Sequence, residues 1–168
     1  MSEKSNFTVI RNESVPTSQV SLREGHNERQ SKTPLNADIV AGRSELNVHF
    51  CQHLNPDGTA ESYHQTVERL LAEGKIVKYN FKPKSALVDE FILDVNSEYF
   101  EQNGGYDFAK KFYEEAYRYA VTEAGAEDYI VSAVLHADER NRELSERYGH
   151  DVYHYHLHVV YVPVVQKE

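Results

Sequence analysis

The sequence predicts an α+β domain in which helices pack on an antiparallel sheet. Two observations lead there. Strand-like and helix-like segments alternate irregularly rather than in strict βαβ units, and the last two apolar strand segments are separated only by a short polar insert. The length of 168 residues suits one domain spanning residues 1–168.

The elements follow in chain order. Residues 7–11 (FTVIR) have the composition of a short strand. Residues 18–30 carry Val20 and Leu22 among helix-tolerant polar residues and predict a helix, and residues 34–42 a loop. Residues 46–51 (LNVHFC) alternate apolar and polar side chains, as a half-buried strand does. Between Thr59 and Gly74 the apolar residues Tyr63, Val67, Leu70 and Leu71 fall on one helical face, with Thr59 as the expected N-cap and Gly74 as the stop. Residues 86–95 (ALVDEFILDV) give the clearest strand. A long helix is expected over 106–124, burying Phe108, Phe112, Ala116, Tyr119 and Ala120, with Gly125 ending it. Residues 128–136 and 155–165 are the last two strands, with a short polar helix between them over 140–149.

The single cysteine, Cys51, excludes an internal disulfide framework and fits a reducing compartment. The N-terminus has no apolar signal core, and no apolar run is long enough to cross a bilayer, so a cytoplasmic protein is expected. Net charge is -9, but it is unevenly spread. Residues 1–84 hold 11 Lys+Arg and 10 Asp+Glu, a balance of +1; residues 85–168 hold 7 and 17, a balance of -10. The local basic cluster Lys75, Lys78, Lys82 and Lys84 is interleaved with Tyr79 and Phe81, the pattern of a single-stranded nucleic-acid track, although the sequence alone favours a solvated strand or loop.

Five of the nine histidines lie between His136 and His158. His154, His156 and His158 alternate along a predicted strand, so all three project to one side while Tyr155, Leu157 and Val159 face the other. Clustered imidazoles lose by desolvation and mutual repulsion unless they share a ligand. With His136 on a neighbouring strand, a three-histidine divalent-metal site is expected, leaving open positions for substrate. A third segment, His26-Asn-Glu-Arg29, would place an imidazole beside a guanidinium on one helical face, an arrangement suited to phosphate chemistry.

HNER, RSELN, HADE and HLHVVYVP, in that order, resemble the V-type Mob/Pre family of plasmid mobilisation and recombination relaxases, and the likeness runs from the strand near Phe7 to Pro163. The resemblance implies an architecture related to the histidine-hydrophobe-histidine endonucleases. It implies a bound Mn²⁺ or Mg²⁺ and cleavage of single-stranded DNA at a transfer origin, with a covalent link to the 5′ phosphate. Other conjugation proteins are possible partners. By the same resemblance His136, His156 and His158 hold the metal, Glu139 acts beside it, His26 takes the position of the nucleophile, and Arg29, Arg43 and Asn47 lie near DNA. There are departures. Tyr155 stands where the family often has proline, His154 is an extra imidazole expected not to be a primary ligand, and residues 140–153 lengthen the gap between HADE and HLH. Family members also continue past the position where this chain stops, so an N-terminal catalytic fragment is expected. A tyrosine nucleophile stays open, as do two other readings: a metal-independent histidine-triad nucleotide hydrolase, which HYHLHVV also fits, and a non-catalytic metal-stabilised DNA-binding module.

Overall fold

Five strands form one antiparallel sheet in the order β1-β3-β5-β4-β2, in a computed structural model that describes residues 7–31, 36–77 and 84–164. The strands are β1 (Thr8–Pro16), β2 (Val48–Cys51), β3 (Ala86–Val95), β4 (Ile130–Arg140) and β5 (Tyr153–Tyr161); the helices are α1 (Val20–Asn27), α2 (Tyr63–Ala72), α3 (Ser97–Asn103), α4 (Tyr106–Ala124) and α5 (Arg142–Tyr148). Every strand pairing is antiparallel, as expected. The histidine-bearing strand β5 is central, paired on both edges by β3 and β4, and core clusters cover both of its faces. Among the described residues no helix is long and apolar enough to cross a membrane.

Alternation along β5 sorts its side chains. Tyr155, Leu157, Val159 and Tyr161 join Leu93, Val95, Ala133 and Leu135 in a core roofed by α3 and α4. On the other face Val88, Val131 and Val160 pack with Val20 of α1 and Tyr63, Val67 and Leu70 of α2. The same face carries His136, His156 and His158, all buried.

Several boundaries differ from the sequence expectation. β1 runs on to Pro16, and β4 continues through HADE to Arg140 instead of stopping at His136. α2 starts at Tyr63: Ser62 caps it, and Gln65 returns a hydrogen bond to complete a capping box. Thr59 instead closes a turn on Asp57, to which its backbone N–H and hydroxyl both donate. α3 has no counterpart among the elements read from the sequence.

The buried face of α4 is rotated by about one residue, ~100°, from the expected one. Ala109, Tyr113, Tyr117, Ala120 and Ala124 face the sheet, and Tyr119 is 53% exposed. The small alanines let the helix approach the strands closely, and the Tyr113 hydroxyl donates to the Tyr155 carbonyl at 2.7 Å. Phe108 and Phe112 are only partly buried at the flank, where they pack edge-on or tilted against Tyr99 and Phe100 of α3. The aromatic stripe in the sequence therefore belongs mainly to a helix–helix contact.

This assignment of faces predicts opposite outcomes for two tyrosines of the same helix. Tyr113→Ala empties a fully buried site and is expected to cost about 3–5 kcal/mol in urea denaturation. Tyr119→Ala is expected to cost about 0.5 kcal/mol or less. Comparable losses at the two positions would refute the orientation given for α4.

Candidate metal centre

β4 and β5 set His136 directly opposite His156, and His158 follows two residues along on the same face. The three ring centroids are 4.8 Å (His136–His158), 5.0 Å (His136–His156) and 5.0 Å (His156–His158) apart. His26, at the end of α1, reaches over this cluster, with its ring 5.9 Å from His136 and 5.6 Å from His158. The structure therefore brings together all four predicted histidines. Their ligand atoms, as placed, converge in two overlapping triplets that share His136: His26 with His136 and His158, and His136 with Glu139 and His156.

Glu139 reaches the histidine face only because of a β-bulge. In a regular strand, residues three apart face opposite sides. Here His136 pairs with His156 while Glu139 pairs with His154, so three steps on β4 match two on β5. The extra residue turns the Glu139 carboxylate toward the cluster, 3.6 Å from His156 Nε2.

Hydrogen bonds orient each ring. His136 Nε2 donates to the Asn27 carbonyl at 2.8 Å, which leaves Nδ1 facing His156 Nε2 at 3.2 Å. His158 Nδ1 donates to Glu90 at 2.7 Å. His158 Nε2 and His156 Nδ1 are then buried without a hydrogen-bond partner among the described residues. Buried bare imidazole nitrogens are costly unless something accepts their lone pairs. The donor set therefore fits a divalent cation. Burial, then the neighbouring His158 and Arg29, holds His136 well below the ordinary histidine range. Burial, then His158, His136, His154 and Arg29, does the same for His156. Burial, with His158 and Arg29, also lowers His26. These rings are therefore neutral near pH 7, the state needed both to bind a metal and to act as a nucleophile.

Two carboxylates that sequence reasoning did not assign organise the site. Glu90 is fully buried in β3; it accepts from His158 and from Asn27 Nδ2 (2.8 Å), and Arg23 pairs with it at 2.7 Å. Burial pushes its carboxyl up, but His158, Arg23 and Asn27 outweigh this and hold it below the usual range. Its only signal is an acidic residue within the apolar run ALVDEFILDV, at inward parity. Asp138, the third residue of HADE, is also fully buried. It accepts from Arg29 Nε (3.0 Å) and Nη2 (2.8 Å), from Ser44 Oγ (2.8 Å) and from Asn47 Nδ2 (2.9 Å). Burial opposes its ionisation, yet Arg29 and Asn47 win and bring its pKa down to about 2.

The residues expected near DNA make the following contacts within the protein. Arg29 is spent on Asp138, on Glu139 (2.9 Å) and on the His26 carbonyl (3.2 Å), and this clamp holds its backbone at φ 52°, the left-handed region that a non-glycine residue rarely enters. Asn47 is turned inward too, since its side chain also accepts from the Ala137 N–H at 2.7 Å. Arg43 donates to the Ala137 carbonyl at 3.1 Å, with its guanidinium 3.4 Å above the Tyr153 ring. Lys75 pairs with Glu73 and Asp128, beyond the start of β4 and roughly 20 Å of strand from His136, so it is not brought to the site. Lys84 is exposed before β3; Lys78 and Lys82 lie outside the described residues. His154 stacks on His156, but its ring nitrogens are engaged outside the cluster, Nε2 3.2 Å from Asp94 and Nδ1 3.1 Å from Ser97 Oγ. A cavity of 690 Å³ opens beside His26 and Arg29, between α1 and residues 36–44.

A family model described as plasmid recombination enzyme matches residues 4–168. The chain is 29% identical over 115 residues to a plasmid recombination enzyme of Lactiplantibacillus plantarum, a match covering 68% of this chain and 30% of that protein. It is 25% identical over 134 residues to one from Bacillus sp, covering 80% of this chain and 31% of that protein. The chain thus spans under a third of the length of these relatives. Among solved structures, the fold matches the MobM relaxase domain bound to plasmid pMV158 oriT DNA in a Mn-bound crystal form at pH 6.8, with TM-score 0.74, 23% identity, and coverage of 96% of this chain and 73% of that one. At that identity the likeness shows the fold.

The neutral buried rings predict acid sensitivity of the metal-free protein. Below the ordinary histidine value of 6.5 the unfolded chain takes up protons that folded His136 and His156 resist, so stability falls as pH falls through that value. Asp138 adds a further loss between 3.8 and about 2. His154 and His150, raised by Asp94 and Glu101, act in the opposite direction. The urea midpoint is expected to drop from about pH 7 to about pH 5, and to drop less in a His136→Asn/His156→Asn double variant. An equal drop in both proteins would disprove the assignment.

Proposed function

The chain belongs to the plasmid recombination enzyme family, and from that premise we propose that it is the catalytic core of a metal-dependent relaxase. Its reaction is the nicking of single-stranded DNA at a transfer origin by transesterification, leaving the protein on the 5′ phosphate. The observation that carries this reading is the cluster of His136, His156 and His158, with two buried bare ring nitrogens, lying under His26. The oriT DNA and Mn named for the MobM relaxase domain support the same substrate class and cofactor. A cytoplasmic site of action follows from that substrate.

His136, His156 and His158 would hold Mn²⁺ or Mg²⁺, with Glu139 beside them. When bound, such an ion supplies Lewis-acid polarisation of the scissile phosphate. The protein's own residues do the rest. Neutral His26 presents a nitrogen lone pair from the end of α1, in a site that disfavours its protonation. Arg29, clamped to Asp138 and Glu139, fixes the turn that follows His26 rather than binding DNA itself. Glu90 behind His158 sets that ring's tautomer, so that Nε2 points into the cluster. The 690 Å³ cavity beside His26 gives DNA access to the nucleophile.

The test is incubation with labelled single-stranded origin DNA and Mn²⁺, scoring a covalent adduct. His26→Ala is expected to lose the adduct while retaining metal by calorimetry; the adduct should release DNA in mild acid, as a phosphoramidate does. An acid-stable adduct that still forms in His26→Ala would transfer the role to a tyrosine. Replacing both His156 and His158 with alanine should abolish metal uptake. Activity that persists in chelator would sink the metal-dependent reading in favour of histidine-triad chemistry.

Glu90→Gln supplies a separate check on the orienting carboxylate. Metal affinity is expected to weaken about 10–100-fold. Unchanged affinity would mean that Glu90 serves only the fold.

A further inference from the structure

A second cavity, of 680 Å³, opens on the same sheet face, on the side of the histidine cluster away from His26. Phe7, Asp94, Glu98, Glu143, Leu144 and His154 line it, and it shares no lining residue with the cavity beside His26. The rings give the order. His26 lies against His136 and His158, whereas His154 stacks on His156 at 5.1 Å and 27°, one strand repeat of about 6–7 Å further along. Both ring nitrogens of His154 are engaged, by Asp94 and Ser97, so His154 forms a fixed wall between the cluster and the cavity.

In-line displacement puts the attacking and leaving atoms on opposite sides of phosphorus. As the His26 nitrogen forms its N–P bond, the P–O3′ bond breaks. Its electron pair stays on O3′, which takes a proton to become the 3′ hydroxyl, and the imidazole gives up its ring proton. The leaving oxygen therefore points away from His26, toward His154. Resting on the relaxase reading above, we propose that the nucleotide bearing the leaving 3′ oxygen places its base in this cavity, and that the cavity selects bases carrying an exocyclic amino group.

The lining chemistry carries the selection. Glu143 presents a carboxylate to the cavity, Asp94 keeps its second oxygen beside the one paired with His154, and Glu98 accepts from Arg147 (2.6 Å) and Tyr148 (2.7 Å), so acceptors outnumber donors along the wall and Glu143 is the acceptor left for an N–H donor. Cytosine, adenine and guanine each offer an amino group on an edge. Thymine's edge N–H lies between two carbonyl oxygens, which the carboxylates repel. Phe7, 67% exposed, offers a stacking face for any base. Part of the excess acid of residues 85–168 here becomes a base-reading surface.

The experiment has two arms, both on the full chain. In the first, a randomised single-stranded DNA library is cut in Mn²⁺ and the 3′-terminal nucleotides of the released strands are sequenced. Amino-bearing bases are expected to exceed thymine by about 5-fold, with the bias lost in Glu143→Gln and in the cavity-filling Leu144→Trp. Thymine enrichment, no bias, or a bias that survives both variants would overturn the proposal. In the second arm, leucine-methyl-labelled protein is titrated with deoxycytidine and with thymidine, with no cleavage involved. The Leu144 methyl resonances are expected to shift with deoxycytidine and not with thymidine. No shift with either nucleoside, or an equal shift with both, overturns the proposal whether or not a strand is released. A selective shift without any released strand supports the subsite and overturns the nuclease reading.

Discussion

The buried carboxylate of Asp138 is the interaction on which the rest of the site depends. It lies in the bulge of β4 and gathers Arg29 from the end of α1 together with Ser44 and Asn47 from the segment before β2. One charge thus fastens two separate pieces of chain to the strand that carries His136. Arg29 pays for its left-handed backbone through that clamp, and the clamp places His26 over the histidine cluster. A buried carboxylate that accepts four hydrogen bonds is favoured in its ionised form, and Arg29 and Asn47 hold its pKa below the usual carboxylate range. Removing a partner from such a network leaves a buried charge without compensation, which costs far more than a surface ion pair contributes.

The central position of β5 explains how one strand can serve both a core and a site. Its odd-numbered side chains are aromatic or aliphatic and lie under α3 and α4, so the strand cannot slip without exposing Leu157 and Val159. The even-numbered histidines inherit that rigidity. Each of the two bare nitrogens is left so because neighbouring groups take the other side of its ring or pack around it: Glu90 holds His158, and His136 faces His156. Rigid strands and carboxylate-oriented imidazoles are the arrangement that keeps a metal site open toward substrate.

Much of this was legible in the chain itself. Period-two spacing alone places His154, His156 and His158 on one face and the apolar residues on the other, because alternation is a property of any extended strand. The antiparallel α+β class follows from the order and spacing of apolar segments in the same local way. The spacing of HNER marks His26 as a partner for phosphate chemistry, and the structure brings that ring to the cluster.

What lay beyond the sequence required knowing which side chains meet. A bulge breaks strand alternation, so no count of residues could turn Glu139 toward His136. Arg29 and Asn47 carry the chemistry of DNA contacts, and only the position of Asp138 shows that they are already engaged. Glu90 is one acid among twenty-seven Asp and Glu residues until the sheet register sets it behind His158. The face of α4 depends on α3, whose Phe100 meets Phe108 and Phe112 and leaves the alanines for the sheet. The sequence by itself determined the periodic features: the strands, their two faces and the row of imidazoles. The tertiary structure alone decided the partners, because hydrogen bonds and ion pairs between residues up to 149 positions apart depend on the packing of whole elements, which no local spacing encodes.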